Sequence, residues 1–266
     1  EAVPNDPNAI AGLAEVKMDL KKPNEAAPLF ARAIAAKKAA GEQVPEGWYK
    51  RALLIAYDNQ MAPQSVEYGL ALVTAYPTAE NWRDALTIYQ EGGNLDPKAN
   101  VDLLRLKRAA KALAGERDYY ELAQTLIDSG LPGEGAAVIR EGVASRMIDG
   151  NKPMFKELLA SATGRIADDK ASLPGLETKA MAAADGTLAL STANAYLGYG
   201  EYAKAAALYR AALQKGSTDA NLVNTRLGIA LALAGQTAEA EAAFKAVTGP
   251  RAQLASYWML WLSQRA

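Results

Sequence analysis

The 266-residue chain contains no histidine and no cysteine. That excludes Ser-His-Asp and Cys-His nucleophile systems, thiolate redox chemistry, histidine-ligated haem and any zinc site built from Cys and His. No metal and no cofactor is expected. Phenylalanine occurs only three times, and sustained alternating runs of Val, Ile and Thr are missing, so β-strands are not expected. The 29 basic and 30 acidic residues leave a net charge of −1, without the basic excess of a dedicated nucleic-acid binder. No apolar run approaches the roughly 18–20 residues of a membrane span; the longest, 227–234, follows Arg226. The sequence opens Glu1-Ala2-Val3-Pro4 without a methionine. The chain is therefore expected to be processed or trimmed, and the lack of cysteine fits both an oxidising compartment without disulfides and many bacterial cytosolic proteins; export to a bacterial periplasm is slightly favoured over the cytoplasm.

What is present is helix-forming. Half of the residues are hydrophobic and 22% are charged, which is globular composition. Ala, Leu, Glu, Lys and Arg dominate. Apolar residues recur at spacings of three and four: Tyr202, Ala205, Ala206, Tyr209, Ala212 and Leu213 fall on one helical face. Gly41, Gly115, Gly130, Gly200, Gly216 and Gly235 stand where helices should stop. Pro23, Pro63, Pro97, Pro132 and Pro153 stand where they should start. Asp96-Pro97 reads as an N-cap followed by a first-turn proline. The intervals predict fourteen or fifteen helices.

The chain is also self-similar. Gly200 is followed by Tyr202, Ala205, Tyr209 and Ala212, and Gly235, 35 residues later, by Thr237, Ala240, Phe244 and Val247 at the same offsets. Ala193 and Tyr196 precede the first glycine by the distances at which Gly228 and Leu231 precede the second. Ala26, Phe30 and Ala33 repeat the second-helix spacing. Trp48, Arg51, Ala52 and Ile55 fall in a first helix, partnered by Tyr68, Ala71 and Leu72. Trp82, Ala85, Leu86 and Tyr89 begin another unit 34 residues after Trp48. This pattern resembles the tetratricopeptide repeat (TPR) family. Trp82-x-x-Ala85-Leu86-x-x-Tyr89 carries its first half, and Leu227-Gly228-x-x-Leu231, Gly235 and Ala240-x-x-x-Phe244 carry most of a whole unit. Of the closing prolines only Pro77 is present; Ser217 stands where another would be.

The spacing predicts an all-α fold of antiparallel helix pairs, with small residues such as Ala193, Gly228, Ala205 and Ala240 permitting close approach. No pair buries its apolar face alone, so the whole chain should form one stacked domain of about seven units. The resemblance implies a right-handed superhelical solenoid. Clear repeats cover 7–40, 44–77, 186–215 and 220–249, divergent ones 78–184, and an end helix 250–266. Ser172-Leu173-Pro174-Gly175 interrupts the helical pattern and predicts a hinge, or a rigid extra pair, within 150–185. The end helix carries Tyr257, Trp258 and Trp261. It is expected to plug the last repeat, with Trp258 and Trp261 as the alternative, a self-association surface.

Chemistry-bearing clusters are sparse. Asp168-Asp169, and Asp118 near Glu116 and Glu121, are the acidic groups a carboxylate-only glycosidase would need; they read as solvated helix ends. Lys107-Arg108-Ala109-Ala110-Lys111, extended by Arg105 and Lys98, reads as a solvated face. Gly130-Leu131-Pro132-Gly133-Glu134-Gly135 lacks the lysine and Ser/Thr of a phosphate loop and reads as a turn. The resemblance places the binding surface on the first helices of the pairs, which line an inner groove. The offsets select Tyr49, Lys50, Tyr57, Arg83, Asp84, Gln90, Tyr120, Gln124, Asn194 and Arg226. Tyrosine with Arg and amide side chains suits an extended peptide. Asn194 and Arg226 match two elements of the carboxylate clamp of some TPR proteins; its lysine and second asparagine have no counterpart. The expectation is a non-enzymatic scaffold for a protein or peptide and, in an exported setting, an envelope-assembly or secretion accessory. The alternatives are a small-molecule or lipid carrier, and a carbohydrate-active enzyme on an all-helical toroid.

Overall fold

A computed structural model describes residues 6–216 and 219–265; Ser217 lies outside them. Among the described residues there are fourteen α-helices and no strand. They are α1 (Pro7–Asp19), α2 (Pro23–Ala39), α3 (Glu46–Asp58), α4 (Ala62–Ala75), α5 (Ala79–Gly92), α6 (Pro97–Ala109), α7 (Gly115–Asp128), α8 (Pro132–Ala144), α9 (Pro153–Ala182), α10 (Thr187–Gly198), α11 (Tyr202–Gln214), α12 (Ala220–Leu233), α13 (Thr237–Lys245) and α14 (Ala252–Ser263). A 3-10 turn, Gly249–Arg251, precedes α14.

Local chemistry sets the ends. Asp96 accepts hydrogen bonds from the Lys98 and Ala99 amides at 2.8 and 2.9 Å and caps α6. Thr78 and Asp219 cap α5 and α12 in the same way. Each of the five prolines singled out occupies the first or second position of a helix. Gly41, Gly130, Gly200, Gly216 and Gly235 hold the left-handed conformation after a helix. Gly115 differs: it opens α7, and the left-handed residue after α6 is Lys111, at φ 56°. Gln60 does the same after α3, also at φ 56°. Its Cβ is strained there, so Gln60→Gly is expected to raise the unfolding free energy by about 0.5–1 kcal/mol. A denaturant melt checks this.

The helices fall into two compact units. The first comprises the residues up to Leu95 with Ala110–Ala112. In it α1 to α5 pack each on the next. Ala14, Ala26, Ala27, Ala33, Ala52 and Ala56 are fully buried and let the helices approach, while Phe30, Tyr49, Tyr68 and Leu72 fill the gaps.

The second unit comprises Asp96–Ala109 and the chain from Leu113 onward. Helices α7 to α14 again pack in sequence order. Gly228 shows why the small positions matter: a Cβ there would lie 2.5 Å from the Phe244 ring. Helix α6 breaks the order, because it packs on α7, α12 and α14 together. It is buried on nearly every side, with Val101, Leu103, Leu104 and Leu106 among Asp102, Arg105 and Lys107. Of the basic run predicted as a solvated face, Arg105 and Lys107 are therefore interior, Arg108 is half-buried, and Lys98 and Lys111 are exposed.

The stretch 150–185 also departs from expectation. It is neither a hinge nor an extra pair: α9 runs unbroken for 30 residues through Pro174. Pro174 is exposed, so the Lys170 carbonyl that loses its helical donor can be hydrated. Both halves are anchored. Phe155, Leu158 and Ala162 are buried in the core shared with α7 and α8. Beyond them Asp169 accepts from the Tyr199 hydroxyl at 2.5 Å, and Glu177 from the Tyr196 hydroxyl at 2.7 Å.

Candidate functional site

In the first unit, helix α3 lies between α1 and α5. Arg51 forks onto Glu15 of α1 at 2.9–3.3 Å, and the Tyr57 hydroxyl of α3 donates to Glu91 of α5. Between α3 and α5 is a groove of about 470 Å³. Residues at i, i+4 and i+7 of α3 supply one wall: Lys50, Leu54 and Tyr57. The matching stripe of α5 supplies the other: Asp84, Ile88 and Glu91, with Arg83 and Thr87 beside them. Leu53 of α3 and Leu72 of α4 form the floor. Leu54 is 47% and Tyr57 37% exposed, so apolar surface remains open to water.

Four of the predicted residues, Lys50, Tyr57, Arg83 and Asp84, thus meet in one groove. Tyr49 does not join them. It is 2% exposed, packed edge-on against Tyr76 at 6.0 Å, because one residue along α3 turns the side chain about 100° into the core. Gln90 is half-buried and does not line the groove. Leu54, Ile88 and Glu91 were not anticipated, although the helical spacing from Lys50 and Asp84 points to them.

The charges are distributed unevenly. The Lys50 ammonium lies 3.0 Å from Glu46 and 3.4 Å from Glu80, and is held above its ordinary pKa chiefly by Glu46. Glu46 is held low by the Asn81 amide first and by Lys50 second. Arg83 donates to the Ala112 carbonyl at 3.1 Å. Burial pushes the Asp84 carboxyl above its ordinary value, with Lys50 and Arg83 only partly offsetting it. Glu91 in turn raises the Tyr57 hydroxyl, which donates to it.

The other predicted residues lie in the second unit. Tyr120 of α7 meets Phe155 edge-on at 6.1 Å, and Gln124 donates to Asp128 at 2.7 Å. Asn194 and Arg226 are not an open ligand-binding pair. Arg226 is buried and donates to Asp102 of α6 at 3.1 Å and to Asn194 at 3.0 Å, and Asn194 also accepts from Tyr209. Helix α6 occupies the face on which these two residues stand. Asp102 is the hub: Arg105 and Arg251 donate to it at 2.9 and 3.1 Å. Arg105 also forks onto Glu134 at 2.6 and 2.8 Å. Burial opposes both charges, but each partner outweighs it, holding Arg105 high and Glu134 low.

Trp258 and Trp261 form no exposed patch. They are 0% and 5% exposed, with Trp258 stacked on Phe244 at 6.1 Å and edge-on to Trp261 at 5.4 Å. Their apolar surface is spent in closing the last pair, not in self-association. Asp118, Glu116 and Asp169 have structural partners, while Asp168 is exposed. Asp118 accepts from the Ala114 amide at 3.0 Å, Glu116 from Lys152 at 2.6 Å, and Asp169 from Tyr199. Of the Gly130–Gly135 run, only Gly130 and Leu131 lie in the turn after α7; Pro132–Gly135 form the first turn of α8, with Glu134 buried against Arg105. No helix of the described residues is long and apolar enough to cross a membrane.

No protein-family model and no curated protein matches the sequence. Among solved structures the chain is similar to a tetratricopeptide repeat protein from Parabacteroides merdae ATCC 43184, at 10% identity and a TM-score of 0.40, over 97% of this chain and 99% of that one.

Proposed function

We propose that the protein is a non-enzymatic helical-repeat scaffold that binds a protein or peptide in the groove between α3 and α5. The observation that carries this reading is the open apolar strip of Leu54 and Tyr57 over a floor of Leu53 and Leu72, rimmed by charged side chains. A groove of that size accepts one or two apolar side chains while the rim orients the backbone of the segment that bears them. Such a contact is small, which suits a transient partner. The absence of cysteine suits an exported bacterial protein. A role in envelope assembly or secretion, in the periplasm, is the setting in which we place it.

The groove is tested with Leu54→Ser. A nine-residue peptide array is screened for binders, and affinities of the hits are measured by titration. Leu54→Ser is expected to weaken them by roughly tenfold, as loss of one buried leucine contact should. The control Leu13→Ser removes an equally exposed leucine on α1, outside the groove. It is expected to leave affinity within about twofold. Equal effects of the two substitutions would defeat the assignment.

A further inference from the structure

The tyrosine, arginine and amide composition of the predicted set suits an extended peptide, and the charges found in the groove favour one that carries positive charge. Lys50 is already shared by two carboxylates, Glu46 and Glu80, and so presents no spare positive charge. Arg83 is drawn to the Ala112 carbonyl. Among the described residues, Asp84 and Glu91 take part in no ion pair, although both line the groove. Glu91 receives only the neutral Tyr57 hydroxyl. Around Lys50 and Arg83 there are thus four carboxylates, and the two that face the apolar strip make no direct ion pair with either cation. Asp84 is half-buried, so its charge is incompletely hydrated and a cationic ligand group gains more there than at an exposed carboxylate.

We infer that the occupant of this groove is a basic peptide segment: an apolar anchor such as leucine on the Leu53–Leu54–Leu72 surface, flanked by a lysine or arginine that reaches Asp84 and Glu91. This rests on reading the groove as the docking site. Its length of one helical stripe on each wall fits an anchor and its immediate neighbours, with the basic group on the α5 side.

The test uses the full chain and two acetylated, amidated nonapeptides, alanine-based with a central leucine. One carries lysine on both sides of the leucine, the other glutamate. Binding is followed by amide chemical shifts of residues 50–57 and 83–91 at 20 mM and 300 mM NaCl. The lysine peptide is expected to bind roughly tenfold more tightly at low salt, with the preference shrinking at high salt. Asp84→Asn/Glu91→Gln should reduce that preference to below about threefold without weakening the glutamate peptide. Equal binding of both peptides, each weakened by Leu54→Ser, would overturn the charge assignment and leave the groove standing. Tighter binding of the glutamate peptide would overturn it too. If n-hexylammonium matches the lysine peptide, the peptide assignment falls and an amphiphilic amine replaces it. If neither peptide shifts the groove resonances, the docking site itself is wrong and the inference goes with it.

Discussion

Asp102→Ala is expected to destabilise the protein by about 3–5 kcal/mol, the range for removing one partner of a buried ionic network. The carboxylate is fully buried and accepts from Arg105, Arg226 and Arg251 at 2.9–3.1 Å. Without it three guanidinium groups crowd a dry interior, and only Arg105 and Arg251 keep another carboxylate, Glu134 and Asp96 respectively. Arg226 keeps only the neutral Asn194 oxygen. Asp102→Asn preserves the shape and one acceptor, so its loss should be smaller. Urea unfolding followed by circular dichroism reads both variants; a loss under about 1 kcal/mol for the alanine variant would show that water solvates the site. The network also has a pH signature through Glu134. Its folded pKa is depressed, so the unfolded chain takes up the proton first on acidification. The stabilisation is therefore complete above the unfolded value of about 4.3 and is lost as pH falls through the folded value. Glu134→Gln should flatten this acid limb while lowering stability at neutral pH.

Trp258→Ala is expected to cost a similar amount, about 3–5 kcal/mol, by the cavity left when a fully buried indole is removed. The ring is sandwiched between Phe244 and Trp261, and its Nε1–H donates to the Asp102 carbonyl at 3.2 Å. Trp258→Phe keeps most of the packing and forfeits that hydrogen bond, so about 1–2 kcal/mol should separate it from the native protein. Sedimentation velocity distinguishes this role from self-association. The alanine variant should melt earlier with an unchanged oligomeric state. A changed state with an unchanged melt would return the two tryptophans to an interface.

The parts of this fold that were legible from residue order are those decided within a few residues. Asp96 caps α6 because its side chain needs only the amides two and three positions on. Gly130 and Pro132 end one helix and start the next for equally local reasons. The pairing of α10 with α11 and of α12 with α13 follows from the repeated small and aromatic positions. Four of the ten groove residues, Lys50, Tyr57, Arg83 and Asp84, were legible for a related reason: Lys50 and Asp84 occupy the same offset on helices built to one plan. Tyr49 was misplaced because a single step around a helix decides between core and surface.

Other features were settled by contacts between distant segments. Pro174 and Gly175 are genuine helix-breaking signals, yet α9 continues because both of its halves are held by neighbours. Asp102 reads as an ordinary polar residue of an amphipathic helix; besides the nearby Arg105, two of its partners lie 124 and 149 positions away. Residue order by itself determined an all-helical chain, the helix ends and the pairing of neighbours, since each depends on backbone geometry and side chains within one or two turns. Only the tertiary structure decided that α6 is an interior helix, that Arg226 and Trp258 are core residues, and that the groove carries unpaired acids. Those outcomes depend on which surfaces remain after every helix has buried its apolar face, and no short stretch of sequence contains that balance.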